Sequence, residues 1–262
     1  MALTEARSRQ SIRTNLQVLG ALMLRESRMA FGTSHWGYLW AILQPGVTLC
    51  FLIFIFLLIG RHAPFGESLA LFFATSVLCL EYFGKLSSSL MRSFSSNHSL
   101  FAYPPVKRID TIVARFLLVS SVYVLVWGLF HGGLVLWEGS HPPYRPELVL
   151  VSFAAIGLLG LALGLVNAVI FSRLSSWQHF EKALHRPLFF LSGAFYMPSL
   201  LPPEATAVLQ WNPVLQAIEL GRMGFYPDYH SEILAPGYLA LFIGIFLTVG
   251  FCAEWATRSG RS

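Results

Sequence analysis

Four polar residues follow one another at about one-turn spacing inside an apolar stretch of the sequence. Glu81, Lys85, Ser88 and Arg92 lie three or four positions apart, so a helix would present them on one face. At 1.5 Å per residue they would form a polar stripe about 16 Å long. Charges in an apolar segment cost free energy and therefore usually mark a functional site, and this stripe suits a path for an anionic solute. The alternative is a Glu81–Lys85 pair that neutralises itself within the helix.

Several catalytic motifs are missing from the sequence. It has no Gly-x-x-x-x-Gly-Lys-Ser/Thr phosphate loop, and Gly84-Lys85 lacks both the earlier glycine and the following hydroxyl. It also lacks His-Glu-x-x-His, paired Cys-x-x-Cys and Gly-x-Ser-x-Gly. We therefore predict no catalytic residue, no metal site and no ATP hydrolysis in this chain. A membrane-embedded enzyme of lipid or glycan synthesis is the competing class, but it would need grouped carboxylates, whereas the acidic residues here are dispersed.

Composition and hydropathy predict the helices that position the stripe. Of 262 residues, 55% are hydrophobic and 12% charged, against roughly 25% charged residues in soluble domains. This excludes an ordinary soluble globule and indicates an all-α, polytopic membrane protein. A helix needs about 20 apolar residues to cross a bilayer. The predicted transmembrane helices of this single domain, residues 1–262, are 41–60, 68–91, 111–137, 148–171, 180–201 and 233–256.

The fifth of these segments decides the topology. Its apolar part, Pro187 to Leu201, has fifteen residues and would reach only about 22 Å, so we expect the span to include residues from 180 onward. Six spans place both chain ends on one side, together with fourteen of the 18 Lys and Arg residues. By the positive-inside rule that side is the cytoplasm. A five-span chain would place the Arg258 and Arg261 tail outside, against the rule.

Two further segments are predicted to lie at the membrane faces. Residues 15–33 form an amphipathic interfacial helix, with Leu19 and Met23 on one side and Arg25 and Arg28 toward the head groups. A plain solvated helix is the alternative there. Residues 202–230 form short re-entrant helices at the outer face, where an unremarkable amphipathic loop is the alternative.

Some residues in these elements are predicted to join helices. Gly157, Gly160 and Gly164 form a small-residue ridge on which another helix can pack closely. Asn167 is expected to make an interhelical hydrogen bond. Glu219 and Arg222, three positions apart, are expected to pair on one face.

Two stretches of the chain resemble one family. Residues 22–45, LMLRESRMAFGTSHWGYLWAILQP, are similar to the first part of type 2 ABC exporter permeases that move polysaccharides. Residues 99–115, SLFAYPPVKRIDTIVAR, narrow the resemblance to the capsular polysaccharide group, the KpsM-like permeases. The resemblance is supported by three shorter motifs nearer the C-terminus: FYMP at 195–198, WNP at 211–213 and the Glu219-x-x-Arg222 pair. The resemblance covers residues from about 20 to 255.

The resemblance implies an architecture and a set of partners. It implies a homodimer of six-span subunits in the bacterial inner membrane, with both termini cytoplasmic, that pumps a lipid-linked acidic capsule polymer outward. Two copies of a separate cytoplasmic ATPase would bind ATP and magnesium, so this chain would hold no cofactor. A periplasmic polysaccharide co-polymerase and an outer-membrane export channel would complete the route, and no nucleic acid would bind. O antigen, teichoic acid or a small drug-like molecule is the alternative cargo.

The resemblance and the charge pattern together give three sets of candidate residues. Residues 92–110 are expected to be the coupling loop that docks on the ATPase, with candidates Phe101, Tyr103, Pro105, Lys107, Arg108 and Asp110. The outer gate candidates are Pro198, Trp211, Asn212, Glu219 and Arg222. The cations would attract a polyanion and the aromatic rings could carry sugar units, so the path candidates are Arg25, Arg28, Trp36, Trp40, Glu81, Tyr82, Phe83, Lys85 and Arg92. Packing against lipid or other helices is the alternative for each aromatic residue.

Overall fold

The computed structural model describes residues 17–30, 32, 35–102 and 106–259, and within these the regular elements are all helical. This confirms the all-α fold class. The helices are α1 (17–30), α2 (His35–Leu58), α3 (Leu69–Met91), α4 (Ser93–Ser96), α5 (Arg108–Trp137), α6 (Pro146–Phe171), α7 (Trp177–Leu191), α8 (Pro203–Leu209), α9 (Pro213–Phe225) and α10 (Pro236–Ser259). Short 3₁₀ turns cover His98–Ala102 and Pro198–Leu200.

Five helices in the described part of the chain are long and apolar enough to cross a membrane. They are α2, α3, α5, α6 and α10, and their ends lie close to those of the five longer segments predicted from hydropathy. Helix α1 lies inside the predicted 15–33 segment, of which residues 15, 16, 31, 33 fall outside the described residues. Its position at a membrane interface stays a prediction.

The segment predicted as a span over 180–201 is divided in the structure. Helix α7 covers fifteen residues and ends at Leu191, which corresponds to about 22 Å. Gly193 then adopts a φ of +70°, a backbone conformation that glycine takes without steric penalty and that commonly ends helices. The chain continues through the Pro198–Leu200 turn rather than as one helix. The six-span count therefore stays a prediction.

Helix α3 is the centre of the molecule. In its most apolar window 78% of the residues are buried, against 17% in α2 and 22% in α10. Helix α6 packs along α3 on one side and against α9 and α10 on the others. The two most peripheral helices thus present their apolar side chains outward, as expected of helices in contact with lipid or with another membrane protein.

The glycine ridge of α6 fits between α3 side chains, as the sequence predicts. A Cβ added at Gly157 would lie 2.7 Å from the Tyr82 hydroxyl, and one at Gly160 would lie 2.7 Å from Leu86 Cβ. A Cβ at Gly164 would lie 2.8 Å from Leu90 Cβ. These distances are too short for any side chain, so the missing Cβ atoms let the two helices approach closely.

Gly160→Ala should therefore lower the stability of the protein. The added methyl group would force α3 and α6 apart, and overpacking of this kind costs about 1–3 kcal/mol. Thermal unfolding in detergent should show a clearly lower midpoint. Gly132→Ala is the matched control, because a Cβ at Gly132 meets nothing within 4 Å. Equal midpoints for the two variants would contradict the close α3–α6 packing.

Two short helices occupy the region predicted as 202–230. Helix α9 runs antiparallel to the first half of α6, where Ser152 Oγ donates to the Ala217 carbonyl at 2.6 Å. Gly221 lies against Ser152, and Gly224 lies against Val149. Helix α9 thus packs beside the first turns of α6 and ends near the start of that helix.

Candidate functional site

The polar stripe of α3 faces α7 across a groove. One cavity, of about 330 Å³, is lined by Glu81, Phe83, Gly84, Lys85 and Ser88 of α3 with Gln44 of α2 and His185, Leu188 and Phe189 of α7. A second, of about 360 Å³, is lined by Gly84, Ser88 and Arg92 of α3 with Glu181, Lys182, His185 and Arg186 of α7. Because the cavities share Gly84, Ser88 and His185, we treat them as one site, the α3–α7 groove.

The charged residues of the stripe differ in their exposure. The side chain of Lys85 is exposed and that of Glu81 is half-buried. Ion pairs at 4.0 Å or closer occur elsewhere in the described residues, at Arg115–Glu26, His185–Glu181 and Arg222–Glu219. Glu81 and Lys85 form no such direct pair, because their charged atoms lie more than 4.0 Å apart. Lys85 and Arg92 contribute positive charge to the groove together with Lys182 and Arg186 of α7.

A buried hydrogen-bond chain holds α7 against α3 and α6. The Glu181 side chain is only 5% exposed and accepts a hydrogen bond from Ser87 Oγ at 3.0 Å. Asn167 donates to the same Ser87 oxygen at 3.1 Å, and Trp177 Nε1 donates to Asn167 at 3.0 Å. The interhelical bond predicted for Asn167 is confirmed, and it fixes the width of the α3–α7 groove.

His185 occupies the middle of the α3–α7 groove. Its Nδ1 lies 3.0 Å from the Glu181 carbonyl and 3.4 Å from the Glu181 carboxylate, and its ring stacks on Phe83 at 5.8 Å. A Cβ at Gly84 would lie 3.1 Å from the His185 ring, so glycine makes room for it. The Nε2 atom has no hydrogen-bond partner among the residues that the structure describes. The wall of the groove therefore holds one buried ring nitrogen whose hydrogen-bonding capacity is unused among the described residues.

The aromatic path candidates lie in different places. Phe83 is buried but lines the groove. Tyr82 points to the other side of α3, where it donates to Ser120 Oγ at 2.7 Å and stacks between Tyr123 and Phe153. Neighbouring helical residues are turned by about 100°, so Tyr82 joins the face that packs on α6. Trp36 and Trp40 are 76% and 64% exposed on α2 and do not line the groove.

A second polar cluster joins α1 to the start of α5. Glu26 forms an ion pair with Arg115 at 2.5 Å, and both side chains are buried. Arg115 also donates to the Ser89 carbonyl and to Ser96 Oγ, each at 2.8 Å. Buried Asn97 donates to Glu26 Oε1 at 2.6 Å. We call Glu26, Asn97 and Arg115 the α1–α5 junction.

The two arginine path candidates on α1 have different environments, and neither lines the α3–α7 groove. Arg25 is half-buried and donates to Asn97 Oδ1 at 2.6 Å, so its side chain contacts the α1–α5 junction rather than the groove. Arg28 is exposed and lies outside the residues that line the groove.

The predicted coupling loop is largely ordered into short elements. Arg108 lies over the rings of Phe94 and Phe101, at 5.8 and 5.6 Å. Asp110 accepts a hydrogen bond from the Lys107 backbone at 2.9 Å and so stabilises the start of α5. Tyr103 and Pro105 lie outside the described residues.

Two outer-gate candidates form the ion pair that the sequence predicts. Arg222 lies 3.2 Å from Glu219, and neither side chain is more than 2% exposed. Arg222 also donates to the Gly193 carbonyl at 2.6 Å and to the Tyr196 carbonyl at 3.2 Å. Its guanidinium lies 4.1 Å from the centre of the Phe72 ring. This residue therefore holds the chain after α7 against α9 and α3.

A tyrosine completes the environment of Glu219. Tyr229 donates to the Glu219 carboxylate at 2.8 Å. Burial raises the pKa of Tyr229, so its phenol stays protonated and remains a donor. Glu219 thus keeps both a cation and a neutral donor as partners.

The remaining outer-gate candidates lie in the segment between α7 and the first turn of α9. Asn212 accepts a hydrogen bond from the Val214 backbone, which caps α9, and donates to the Leu191 carbonyl at 3.1 Å. The carbonyl of exposed Trp211 accepts a bond from the Tyr238 hydroxyl at 2.6 Å. Buried Pro198 begins the 3₁₀ turn and lines a cavity that Glu219 also lines.

Sequence reasoning missed the α7 wall of the groove and the α1–α5 junction. Trp177, Glu181 and His185 recur every four residues, a spacing that places them on one face of α7. Leu22 and Glu26 have the same spacing on α1, and both are buried. The i, i+4 signal was therefore present in both helices, although it does not reveal the partners.

Comparison with known proteins identifies the family of the chain. The family model described as ABC-2 type transporter matches residues 17–226. The polysialic acid transport protein KpsM of Escherichia coli is 34% identical over 240 residues, 91% of this chain and 92% of that protein. The capsule polysaccharide export inner-membrane proteins BexB of Haemophilus influenzae and CtrC of Neisseria meningitidis serogroup B are 24% and 25% identical, and the alignments cover 89% and 92% of this chain and 88% and 91% of those proteins. The chain belongs to the ABC-2 type transporter family.

Proposed function

We propose that this chain is the transmembrane permease subunit of an ATP-driven exporter of capsular polysaccharide. The observation that carries the proposal is similarity over about nine tenths of the chain to proteins named for capsule polysaccharide export or polysialic acid transport. The chain contributes transport rather than catalysis. A separate cytoplasmic ATPase, in two copies, binds ATP and magnesium, which fits the lack of a phosphate loop in the sequence.

The α3–α7 groove is the proposed entrance for the cargo. Lys85 and Arg92 face Lys182 and Arg186 across it. Four cations around a groove raise the local concentration of a polyanion and favour its binding. An acidic, lipid-linked polymer is the cargo that fits this charge, and the positive-inside rule places this end of the helices in the cytoplasm.

The α1–α5 junction is the proposed route by which the ATPase moves the permease. It connects α1, the end of α3 and the start of α5 through bonds between buried groups. A well-packed polar junction moves as a unit, so a force on the 92–110 segment would reach three helices together. Closure of the ATPase would then bias the permease between two packing states.

A second copy of the chain is the proposed partner within the membrane. Helix α2 leaves an apolar stripe exposed, including Trp40, Val47, Phe51 and Phe54. In a homodimer a second copy would cover part of this surface and lipid the rest. A periplasmic co-polymerase and an outer-membrane channel would continue the route in a Gram-negative host.

Deletion of the chain's gene from a capsulated host tests the function. The expected result is loss of surface capsule with polymer retained inside the cell, and a plasmid copy should restore export. Normal surface capsule in the deletion strain would contradict the proposal.

Lys85→Ala and Arg92→Ala should each lower export by about two- to fivefold, because each removes one solvent-screened contact with a polyanion. Assembly with the ATPase should be unchanged, since Lys85 lies outside the 92–110 segment and the side chain of Arg92, its first residue, turns back to the Ser88 carbonyl of α3 at 3.3 Å. The measurement is surface polymer per cell, with co-purification of the ATPase as the check on assembly. Arg173→Ala is the control, because Arg173 is exposed at the same end but does not line the groove. Wild-type export by both groove variants would exclude the α3–α7 groove as the entrance.

A further inference from the structure

The α3–α7 groove has cations at its mouth and a carboxyl group at its inner end. Arg92 lines only the cavity at the C-terminal end of α3, whereas Glu81 lines only the cavity farther along the helix. Lys85 lies between them in the sequence, so the order from the mouth inward is cation, cation, carboxyl group. Glu81 is therefore the last charged side chain that an anion meets along the stripe.

Two neighbouring helices fix the place of the Glu81 side chain. It is half-buried and lines the groove, and Thr48 of α2 lies within hydrogen-bonding reach of it. Gln44, one turn before Thr48, lines the same part of the groove. The carboxyl group of Glu81 is thus held at the groove, between α2 and α3.

The other carboxyl group of the lining, that of Glu181, has a different environment. It is only 5% exposed, accepts a hydrogen bond from Ser87 Oγ and lies 3.4 Å from the His185 ring. Its partners in the wall therefore use its hydrogen-bonding capacity. Glu81 has no ion-pair partner within 4.0 Å among the described residues, so its charge acts on whatever occupies the groove.

One negative charge in a cationic groove changes how an anion binds there. The four cations of the groove attract a polyanion, and a carboxylate among them repels it. A nearby cation favours the ionised form of a carboxyl group, and Lys85 lies one helical turn from Glu81. A site that conducts a charged solute must bind it strongly enough to admit it and weakly enough to release it.

We propose that Glu81 is the release residue of the α3–α7 groove. Its negative charge weakens the binding of an acidic polymer to the four cations, so that each bound segment leaves Lys85 and moves farther into the permease. The inference rests on the proposed function, because it requires an acidic polymer that moves through this groove. Without the charge, the polymer should bind more tightly and move more slowly.

Glu81→Gln tests the proposal, because glutamine keeps the size of the side chain and removes the charge. The measurement is the initial rate of ATP-dependent uptake into inverted vesicles that contain the full chain and its ATPase. The host's own lipid-linked capsule polymer is supplied at several concentrations. The KM for polymer should fall by about three- to tenfold, the effect of one like-charge contact near a protein surface. The maximal rate should fall too, because tighter binding before the movement raises its barrier.

Two further variants and a change of salt separate the charge from a structural effect. Glu81→Asp keeps the charge and should stay closer to wild type than Glu81→Gln. Glu204→Gln, at an exposed position of α8 outside the groove lining, should leave both constants unchanged. The KM difference should shrink between about 0.05 M and about 0.5 M salt, because salt screens charges. If Glu81→Gln assembles poorly, Glu81→Ser removes the same charge and takes its place.

An unchanged or higher KM in Glu81→Gln would overturn the release role of Glu81. A lower KM with an unchanged maximal rate would overturn it too, since the charge would then not limit the onward movement. Wild-type vesicles that take up no polymer with ATP would contradict the proposed function instead.

Discussion

Arg115→Met should destabilise the protein by about 3–5 kcal/mol, because it leaves the buried Glu26 carboxyl group without its ion-pair partner. The Glu26 side chain is only 3% exposed, so water cannot replace the arginine. The variant also removes the donors to the Ser89 carbonyl and to Ser96 Oγ. The measurement is the thermal unfolding midpoint of the purified chain in detergent, and the midpoint should fall by many degrees.

A double variant separates the buried charge from the loss of packing. Glu26→Leu with Arg115→Met removes both charges, and apolar replacement of a buried ion pair is often neutral or stabilising. We expect the double variant to recover more than half of the lost stability but not polymer export, because Asn97 would lose its bond to Glu26 and the α1–α5 junction would be weakened. Arg173→Met, at an exposed position, is the control. A stable Arg115→Met protein would show that the ion pair contributes little.

Arg222→Met should have an effect of similar size at the other end of the molecule. Glu219 would remain buried with only Tyr229 as a donor, and the Gly193 and Tyr196 carbonyls would lose their partner. The expected loss is again about 3–5 kcal/mol. It should appear as a sharply lower yield of assembled protein and as protease cleavage in the segment between α7 and α9.

Two further variants make the Arg222 result specific. Arg222→Lys keeps the charge but loses the planar set of donors that reaches three acceptors, so an intermediate stability is expected. Arg145→Met removes an exposed cation of the same face and should behave as wild type. If Arg222→Met and Arg145→Met gave equal yields, Arg222 would not be holding the chain after α7 in place.

The long helices were predictable because the length of an apolar run in a membrane protein corresponds to the length of the helix that spans the bilayer. Apolar runs of more than 20 residues define α3, α5 and α6 with ends close to those observed. The packing roles of the α6 glycines and Asn167 were also predictable, because small residues and a lone amide within a span commonly join helices. The division of the 180–201 segment depends on Gly193 and its positive φ, which an apolar run does not reveal.

The candidate site was only partly predictable. The spacing predicts the α3 stripe, but adjacent positions on a helix face different neighbours. Tyr82 therefore packs against α5 and α6, while Glu81 lines the groove. The contact between Glu26 and Arg115 joins residues 89 positions apart, and no local pattern encodes such a pairing. The local pattern therefore predicts that Arg25 points to the head groups. In the structure Arg25 and Glu26 turn toward the protein instead.

The proposed function requires that ATP drives the movement of capsule polymer through this chain. The most direct measurement uses inverted membrane vesicles that contain the chain and its ATPase, supplied with radiolabelled lipid-linked capsule polymer. With ATP the label should become protected from an added glycosidase, and a vesicle carrying Lys85→Ala with Arg92→Ala should protect less at the same rate of ATP hydrolysis. Equal protection without ATP, or in vesicles that lack this chain, would contradict the account.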